Sequence, residues 1–178
     1  MLDQQGLQKF NFFSDLTIDT LDEILGFCEL RTLKKGDLLF SQNDKAENLY
    51  GIIDGSIELS IVFQEQSLKT VVNYEESVYK SLETKDRPIV VGEISSGEII
   101  GWSSFTRSLK MSASAKCLTD TKVFSIPTEK IFNLFKKDPA LGYALMVKMC
   151  DVISNRLQIR TDLLVEAWGE AFNTDSIG

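Results

Sequence analysis

Residues 30–63 read LRTLKKGDLLFSQNDKAENLYGIIDGSIELSIVF, and this stretch decides the fold. The tripeptides KGD and QND within it are turn signals, and Asp54-Gly55 is a strong hairpin signal. After the hairpin, polar and apolar residues alternate through residues 56–61, a pattern typical of a half-buried strand. The stretch therefore predicts short antiparallel strands joined by tight turns.

Further strand patterns follow along the chain. They cover Ile89–Ile94, Gly97–Ile100, Ser112–Cys117 and Thr121–Ile126. Many short strands with turn signals are typical of an antiparallel β-roll or jelly roll, a double-stranded sandwich like that of the cupins. We therefore predict a mainly β fold with flanking helices, in which residues 30–126 form the roll.

A polar, charged segment over residues 64–88 interrupts the roll. Its two strand-like pieces favour a long hairpin or excursion, and a short helix around Glu75–Leu82 is the alternative.

Helical patterns lie on both sides of the roll. In residues 1–29, apolar residues recur every three to five positions and predict two short helices, one before Ser14 and one from about Thr17 to Cys28. The length of 178 residues suits a single domain.

Two further helices are predicted over residues 127–170. Pro127 is placed to open the first of them. The second begins near Asp138 and runs to about Trp168, with a frayed tail after Gly169.

The long C-terminal helix carries a partial heptad pattern, which favours a dimer seam and a homodimer. Arg156 breaks the second of its two apolar series. The alternative is an amphipathic helix that packs on its own domain. The predicted seam consists of Leu145, Met149, Val152, Ile159 and Leu163.

Composition narrows the classes of function. The chain has no histidine, which excludes Ser-His-Asp and Cys-His catalysis and histidine-based zinc or haem sites, including those of the metal cupins. We therefore expect no enzyme activity and no metal site. The net charge of -7 disfavours direct nucleic-acid binding, because an acidic surface repels phosphate backbones.

The sequence favours a cytoplasmic location. Its N-terminus lacks the pattern of a signal peptide, and no apolar run approaches the roughly 20 residues that span a bilayer, so no membrane association is expected. Cys28, Cys117 and Cys150 are odd in number and scattered, which suits a reducing compartment better than a disulfide framework.

The glycine punctuation carries a family resemblance. Residues 35–37, 43–44, 49–52, 55–57 and 97–101 together resemble the cyclic-nucleotide-binding domain, the sensor module of the catabolite-activator family and of cyclic-nucleotide-dependent kinases and gated channels. The resemblance spans about Phe13 to Leu164. The interval from Gly55 to Gly97 is longer than is usual in the family, which implies that residues 64–88 are an insertion. It implies a small-molecule-sensing regulatory domain in signal transduction, with a cyclic nucleotide or another small anion as its ligand and no other cofactor.

In that family the ligand's phosphate and ribose lie in a cassette, which aligns here with residues 97–117, GEIIGWSSFTRSLKMSASAKC. A short helix after Gly101 would aim free N–H groups at an anion. The ligand-binding candidates that the resemblance implies are Gly101, Trp102, Ser103, Ser104, Lys110, Met111, Ser112 and Ala113.

Two positions depart from the family's pattern. Members that bind cyclic nucleotides carry a Glu after the second glycine and an Arg before a pair of small residues, where this chain has Trp102 and Met111. A neutral Met cannot make the charge-assisted contact of an Arg with phosphate, so ordinary cyclic AMP or cyclic GMP binding is disfavoured. Lys110, and more weakly Arg107, are the cations that remain nearby.

The long helix covers the pocket in this family. Asn155, Arg156 and Arg160 would then contact the ligand as a lid, or they are surface residues. Trp102 would either stack on a ligand or close the pocket.

Three functions remain open at this stage. The first is a ligand sensor that dimerises through its long helix. The second is a degenerate interaction or dimerisation module, whose pocket is filled by Trp102 and Met111. The third is the sensor half of a transcription regulator without its own DNA-binding domain, which would then need a partner chain or partner protein.

Overall fold

The computed structural model describes residues 2–72 and 78–174, and the side chains of residues 2–64 and 84–172. Two antiparallel four-stranded sheets form a β-roll, with helices on its N-terminal and C-terminal sides. The predicted mainly β fold is confirmed. The strands are β1 Glu29–Leu33, β2 Leu38–Phe40, β3 Asn48–Asp54, β4 Ser56–Val72, β5 Val78–Ser95, β6 Ile99–Ile100, β7 Ser114–Cys117 and β8 Thr121–Pro127.

One sheet has the strand order β1-β8-β3-β6 and the other has the order β2-β7-β4-β5. The predicted hairpin at Asp54-Gly55 is wrong, because β3 and β4 do not pair with each other. The turn instead links the two sheets, since β3 belongs to the first and β4 to the second. Gly55 adopts φ +95, the left-handed region that favours glycine at such a turn.

The helices are α1 Gln4–Gln8, α2 Ile18–Leu25, α3 Thr128–Lys137 and α4 Pro139–Thr174, with short 3-10 helices at Asn11–Phe13 and Trp102–Phe105. Thr17 caps α2, because its hydroxyl accepts a hydrogen bond from the Thr20 N–H. The sequence predicts Pro127 in the first turn of α3, but in the structure Pro127 is the N-cap residue and precedes the helix. The helix α4 also extends past Trp168. The prediction of a frayed tail after Gly169 is wrong for residues 170–174, which are helical, and residues 175–178 lie outside the described residues.

The predicted insertion is a long hairpin. Strands β4 and β5 pair from Ser56 opposite Ser95 to Val72 opposite Val78, and the pairing shifts register once, between Leu59 and Ser60. The alternative of a helix around Glu75–Leu82 is wrong over residues 78–82, which are strand, and residues 75–77 lie outside the described residues.

Two apolar clusters form the core. One fills the interior of the roll and includes Ile52, Ile57 and Ile94. The other lies between the first sheet and the helices and includes Phe13 and Phe124. The second cluster holds α4 against the roll, and this packing brings the middle of α4 to the cassette.

Candidate functional site

The cassette begins at Gly101, whose conformation the fold requires. Gly101 has φ +92, and a Cβ on it would lie 2.6 Å from the carbonyl oxygen of Asn48. The 3-10 helix Trp102–Phe105 follows directly, as predicted from the sequence. Its start is fixed to Gly101, whose carbonyl oxygen accepts hydrogen bonds from both the backbone N–H and the hydroxyl of Ser104.

The serines of the cassette face two directions. Ser104 is buried, and its hydroxyl also accepts a hydrogen bond from Thr128 at 2.7 Å, so it joins the cassette to α3 and does not line the cassette cavity. Ser103 and Ser112 do line that cavity, and the Ser103 hydroxyl donates to the Ser112 hydroxyl at 3.5 Å. The structure therefore places Ser104 in the framework, contrary to its predicted role as a ligand contact.

The cassette cavity has a volume of about 20 Å³. Roughly 10–15 Å³ of such volume holds one water molecule, so a nucleotide would enter only if the walls moved apart. Six of the eight cassette candidates meet here, together with residues from β2, β4, β6 and α4. The lining residues are Phe40, Leu59, Ile100, Gly101, Trp102, Ser103, Met111, Ser112, Ala113, Arg156 and Arg160.

Two of these wall residues also belong to packing clusters. Met111 is 2% exposed and lies in the core of the roll. Trp102 is half-buried and packs against the cluster beneath the helices. They therefore contribute apolar walls and no charge.

The cations of the cassette itself lie elsewhere. Arg107 and Lys110 are exposed and are not among the residues that line the cavity. The positive charge at the cavity comes instead from Arg156 and Arg160, one helical turn apart on α4.

Arg156 forms a partly buried ion pair. Its Nη2 donates to Oε1 of Glu98 at 2.8 Å, with side chains 12% and 41% exposed. The other carboxylate oxygen of Glu98 accepts the backbone N–H of Ser95 at 2.7 Å. Glu98, in the turn between β5 and β6, is thus held at both oxygens and fastens α4 to the roll.

Arg160 has no such partner. Among the residues that the structure describes, it makes no salt bridge. Burial, followed by the positive charge of Arg156, lowers the pKa of Arg160. Two guanidinium groups thus line one small cavity, and Glu98, which pairs with Arg156, is not among the residues that line it.

Asn155 does not line the cassette cavity. It is exposed and lines a second cavity of about 150 Å³ between α4 and the 3-10 helix Asn11–Phe13. Arg156 lines both cavities. Of the three lid candidates, Arg156 and Arg160 therefore reach the cassette cavity and Asn155 does not.

The predicted dimer seam divides between buried and exposed positions. Leu145 and Met149 are 1% and 0% exposed in the core of their own domain, and Val152 packs against the same cluster. Ile159 lies over β5, since its Cγ2 is 3.9 Å from the place of a Cβ on Gly92. Leu163 alone of the five is exposed, so the seam as predicted is unavailable to a second copy.

A wider open groove of about 910 Å³ runs along α3, with Phe132 and Lys136 on one side and Lys45 on the other. Ser104 lines this groove, whereas Ser103 lines the cassette cavity. The larger volume does not make it the better site, because the residues that the sequence singled out do not converge there.

No three metal-ligating side chains cluster within the part of the chain that the structure describes. Over the same residues, no helix combines the length and apolarity needed to cross a membrane.

Comparison with known proteins agrees with this geometry. A family model, the cyclic nucleotide-binding domain, matches residues 30–138. The chain therefore belongs to the cyclic nucleotide-binding domain family. No curated protein sequence matches it significantly.

Solved structures share the fold. A cyclic nucleotide-binding protein from Geobacter metallireducens GS-15 is 24% identical, with a TM-score of 0.66 over 88% of this chain and 99% of that one. The sensor domain of the transcriptional regulator DNR from Pseudomonas aeruginosa is 18% identical, with a TM-score of 0.63 over 87% and 91%. Catabolite Activator Protein from Thermus thermophilus is 20% identical, with a TM-score of 0.59 over 89% and 62%.

Sequence reasoning missed Glu98 as a site residue. It follows the first cassette glycine and has the appearance of an ordinary turn residue. The available signal was Arg156, a charged residue inside an otherwise apolar helical series, which implies a buried partner.

Proposed function

We propose that the chain is a ligand-sensing regulatory domain of the cytoplasm that acts as a homodimer through α4 and is not an enzyme. The observation that carries the proposal is the position of α4, whose Arg156 and Arg160 form one wall of the cassette cavity. A ligand in the cassette would therefore touch the helix that also meets the second copy. Three free thiols support a reducing compartment.

The ligand class follows from the family and from the charge of the cavity wall. A small anion, with cyclic nucleotides as the first class to test, suits a cavity that holds two guanidinium groups and two serine hydroxyls. Ligand binding shifts α4 only if the ligand has different affinities for two positions of the helix.

Hydrogen–deuterium exchange tests this function. The full chain is incubated with cyclic AMP, cyclic GMP or cyclic di-GMP at concentrations up to millimolar. We expect one of them to slow exchange both in residues 97–117 and in the middle of α4. If none changes exchange in either segment, cyclic nucleotides are not the ligand, and the result favours the second candidate function, the interaction module described below.

The dimer surface belongs on the outward face of α4. Exposed residues recur there at alternating spacings of four and three, the repeat of a coiled coil. This series lies two residues, or about 200°, around the helix from the series that the sequence favoured. Its members are Tyr143, Val147, Cys150, Ser154, Leu157, Thr161, Leu164 and Trp168.

Substitution on this face tests the homodimer. Leu157→Glu combined with Leu164→Glu places like charges in the seam, and we expect light scattering after size exclusion to show a monomer. Val165→Glu is the matched control, because Val165 is exposed beside the series but not part of it. A dimer that survives the double substitution would exclude this face as the seam.

A second candidate is a non-ligand-binding interaction module. It is favoured by the cavity volume of about 20 Å³ and by the burial of Met111 in its wall. It predicts that the chain dimerises normally while Trp102 fluorescence stays unchanged with every small molecule tested. A saturable change in Trp102 fluorescence would exclude it.

The sensor half of a transcription regulator is a third candidate, because the DNR and catabolite-activator structures named above are regulators of that kind. The net charge of -7 favours DNA contact through another chain. Specific retention of DNA by the isolated chain would contradict this version.

A further inference from the structure

The charges of the cassette cavity are unbalanced. Arg156 and Arg160 bring two positive charges to the wall, whereas Glu98, which pairs with Arg156, does not itself line the cavity. Both arginines are removed from full solvent contact, and burial together with Arg156 lowers the pKa of Arg160. A partly buried positive charge without a partner is costly, and a bound anion would lower that cost.

The carboxylate of Glu98 already occupies Arg156. Glu98 is fixed by the backbone N–H of Ser95, so the carboxylate remains in place when α4 moves. An anion that entered the cassette cavity would compete with Glu98 for the same guanidinium. Ser103 and Ser112 would meet the anion from the opposite wall, where both hydroxyls line the cavity.

We propose that Arg156 and Arg160 of α4 bind the anionic group of the ligand, and that this group displaces Glu98 from Arg156. The ligand class is a compact oxyanion, such as the phosphate or carboxylate of a small metabolite, since guanidinium groups pair with both. The proposal rests on the proposed function, because it assumes that the cassette is the ligand site.

Entry of the ligand and release of the helix are then one event. A cavity of about 20 Å³ cannot admit a phosphate group unless its wall moves, and α4 is the wall that a single ion pair fastens to the β5–β6 turn. Without ligand, the carboxylate of Glu98 pairs with Arg156 in the place of the ligand's anionic group.

Inorganic phosphate is the probe for this site. It is titrated into the full chain while the Nε–Hε signals of Arg156 and Arg160 are followed by nuclear magnetic resonance. Glu98→Gln removes the competing charge but keeps an oxygen that can accept the Ser95 N–H. A neutral amide at position 98 competes with phosphate for Arg156 less strongly than the carboxylate of Glu98 does. We therefore expect the Kd for phosphate to fall at least about tenfold in this variant.

Charge-matched variants identify the site. Arg156→Gln and Arg160→Gln, added to Glu98→Gln, should abolish saturable phosphate binding. Lys116→Gln on the same background removes one positive charge, as each single arginine substitution does, at an exposed position of β7 and should leave the Kd within about twofold.

Several results would overturn the proposal. They are the absence of phosphate binding to Glu98→Gln, equal binding after both arginines are replaced, and phosphate-induced shifts elsewhere with none at the two arginines.

Failure of the proposed function has a different signature. If a cyclic nucleotide protects the cassette equally in wild type and in the arginine variants, the ligand-sensing function is supported and the anion site at the two arginines is excluded. If phosphate binds through the arginines while no cyclic nucleotide binds, the anion site stands and cyclic nucleotides are excluded.

Discussion

Gly101 and Gly97 share a backbone conformation but not an environment. Their φ angles are +92 and +89, yet a Cβ would lie 2.6 Å from the Asn48 carbonyl oxygen at Gly101 and would meet nothing within 4 Å at Gly97. Gly97→Ala therefore carries only the left-handed strain of about 1 kcal/mol, and Gly101→Ala adds a backbone clash.

We expect Gly101→Ala to lower the free energy of unfolding by about 2–4 kcal/mol and Gly97→Ala by about 1 kcal/mol. Urea unfolding followed by circular dichroism measures both. Equal losses would mean that the cassette start can shift away from β3, and that the close approach at Asn48 is not required.

Burial of Cys28 couples stability to alkaline pH. Burial raises the pKa of this thiol to about 11, from a usual value of 9.0. The unfolded chain therefore loses the thiol proton at lower pH than the folded chain, and stability falls as pH rises from about 9 to about 11.

Cys28→Ala should remove this part of the pH dependence. We expect the stability difference between wild type and Cys28→Ala to shrink as pH increases over that window, in urea titrations at several pH values. The exposed Cys150→Ala is the comparison. A difference that is constant with pH would contradict burial as the cause.

At the level of single residues, composition and motif revealed about half of the candidate site. Glycine spacing locates the cassette, because glycines occur where the backbone needs a conformation that other residues avoid, and such positions can be recognised in the sequence. The residues found in this way are Gly101, Trp102, Ser103, Met111, Ser112 and Ala113. The Glu98–Arg156 pair joins residues 58 positions apart, so only the packing of α4 reveals it.

Among the elements, α4 is fastened at a second point by Lys148. Its Nζ lies 2.7 Å from the carbonyl oxygen of Asn11, from the hydroxyl of Ser14 and from a carboxylate oxygen of Asp15, and its side chain is 17% exposed. The Lys137–Glu23 pair also joins a C-terminal helix to the N-terminal segment, but both of its side chains are exposed.

We expect Lys148→Met to accelerate amide exchange of the 3-10 helix Asn11–Phe13 at least about tenfold, because two hydrogen bonds of a largely buried ammonium are lost. Lys137→Met should change exchange in α2 by less than about twofold, since exposed ion pairs contribute little. Similar effects of the two substitutions would show that burial of the Lys148 side chain does not increase its contribution to local stability.

The elements also show why the seam could not be assigned from sequence. Two apolar series run along α4, one through Leu145 and Met149 and the other through Leu157 and Leu164. Both satisfy helical periodicity, and only the roll decides which one it buries. The long hairpin could be predicted because alternation and turns are local, whereas its register against β7 depends on residues far along the chain.

For the whole molecule, Cys150 provides a test of the proposed homodimer. It is exposed on the outward series of α4, whereas Cys117 is buried and Cys28 is partly buried. In a parallel pair of helices the two copies of Cys150 face each other, within reach of a disulfide. In an antiparallel pair centred on Leu157 they would be about 20 Å apart.

We expect mild oxidation to produce a covalent dimer on a non-reducing gel. Cys150→Ser should abolish this dimer, and Cys28→Ser should not. Cross-linking that persists in Cys150→Ser, or that fails in wild type under conditions where light scattering shows a dimer, would contradict the parallel seam.

The length of α4 gives small movements at the cassette a large reach. The helix has 36 residues and is about 54 Å long, and every described side chain from Thr161 to Phe172 is exposed. From Lys148, where α4 is attached to the N-terminal segment, to Thr174 the distance along the helix axis is about 39 Å. A tilt of about 10° with its pivot at Lys148 would move Arg156 by about 2 Å and carry the far end sideways by about 7 Å, so the helix is a lever with the cassette on its short arm.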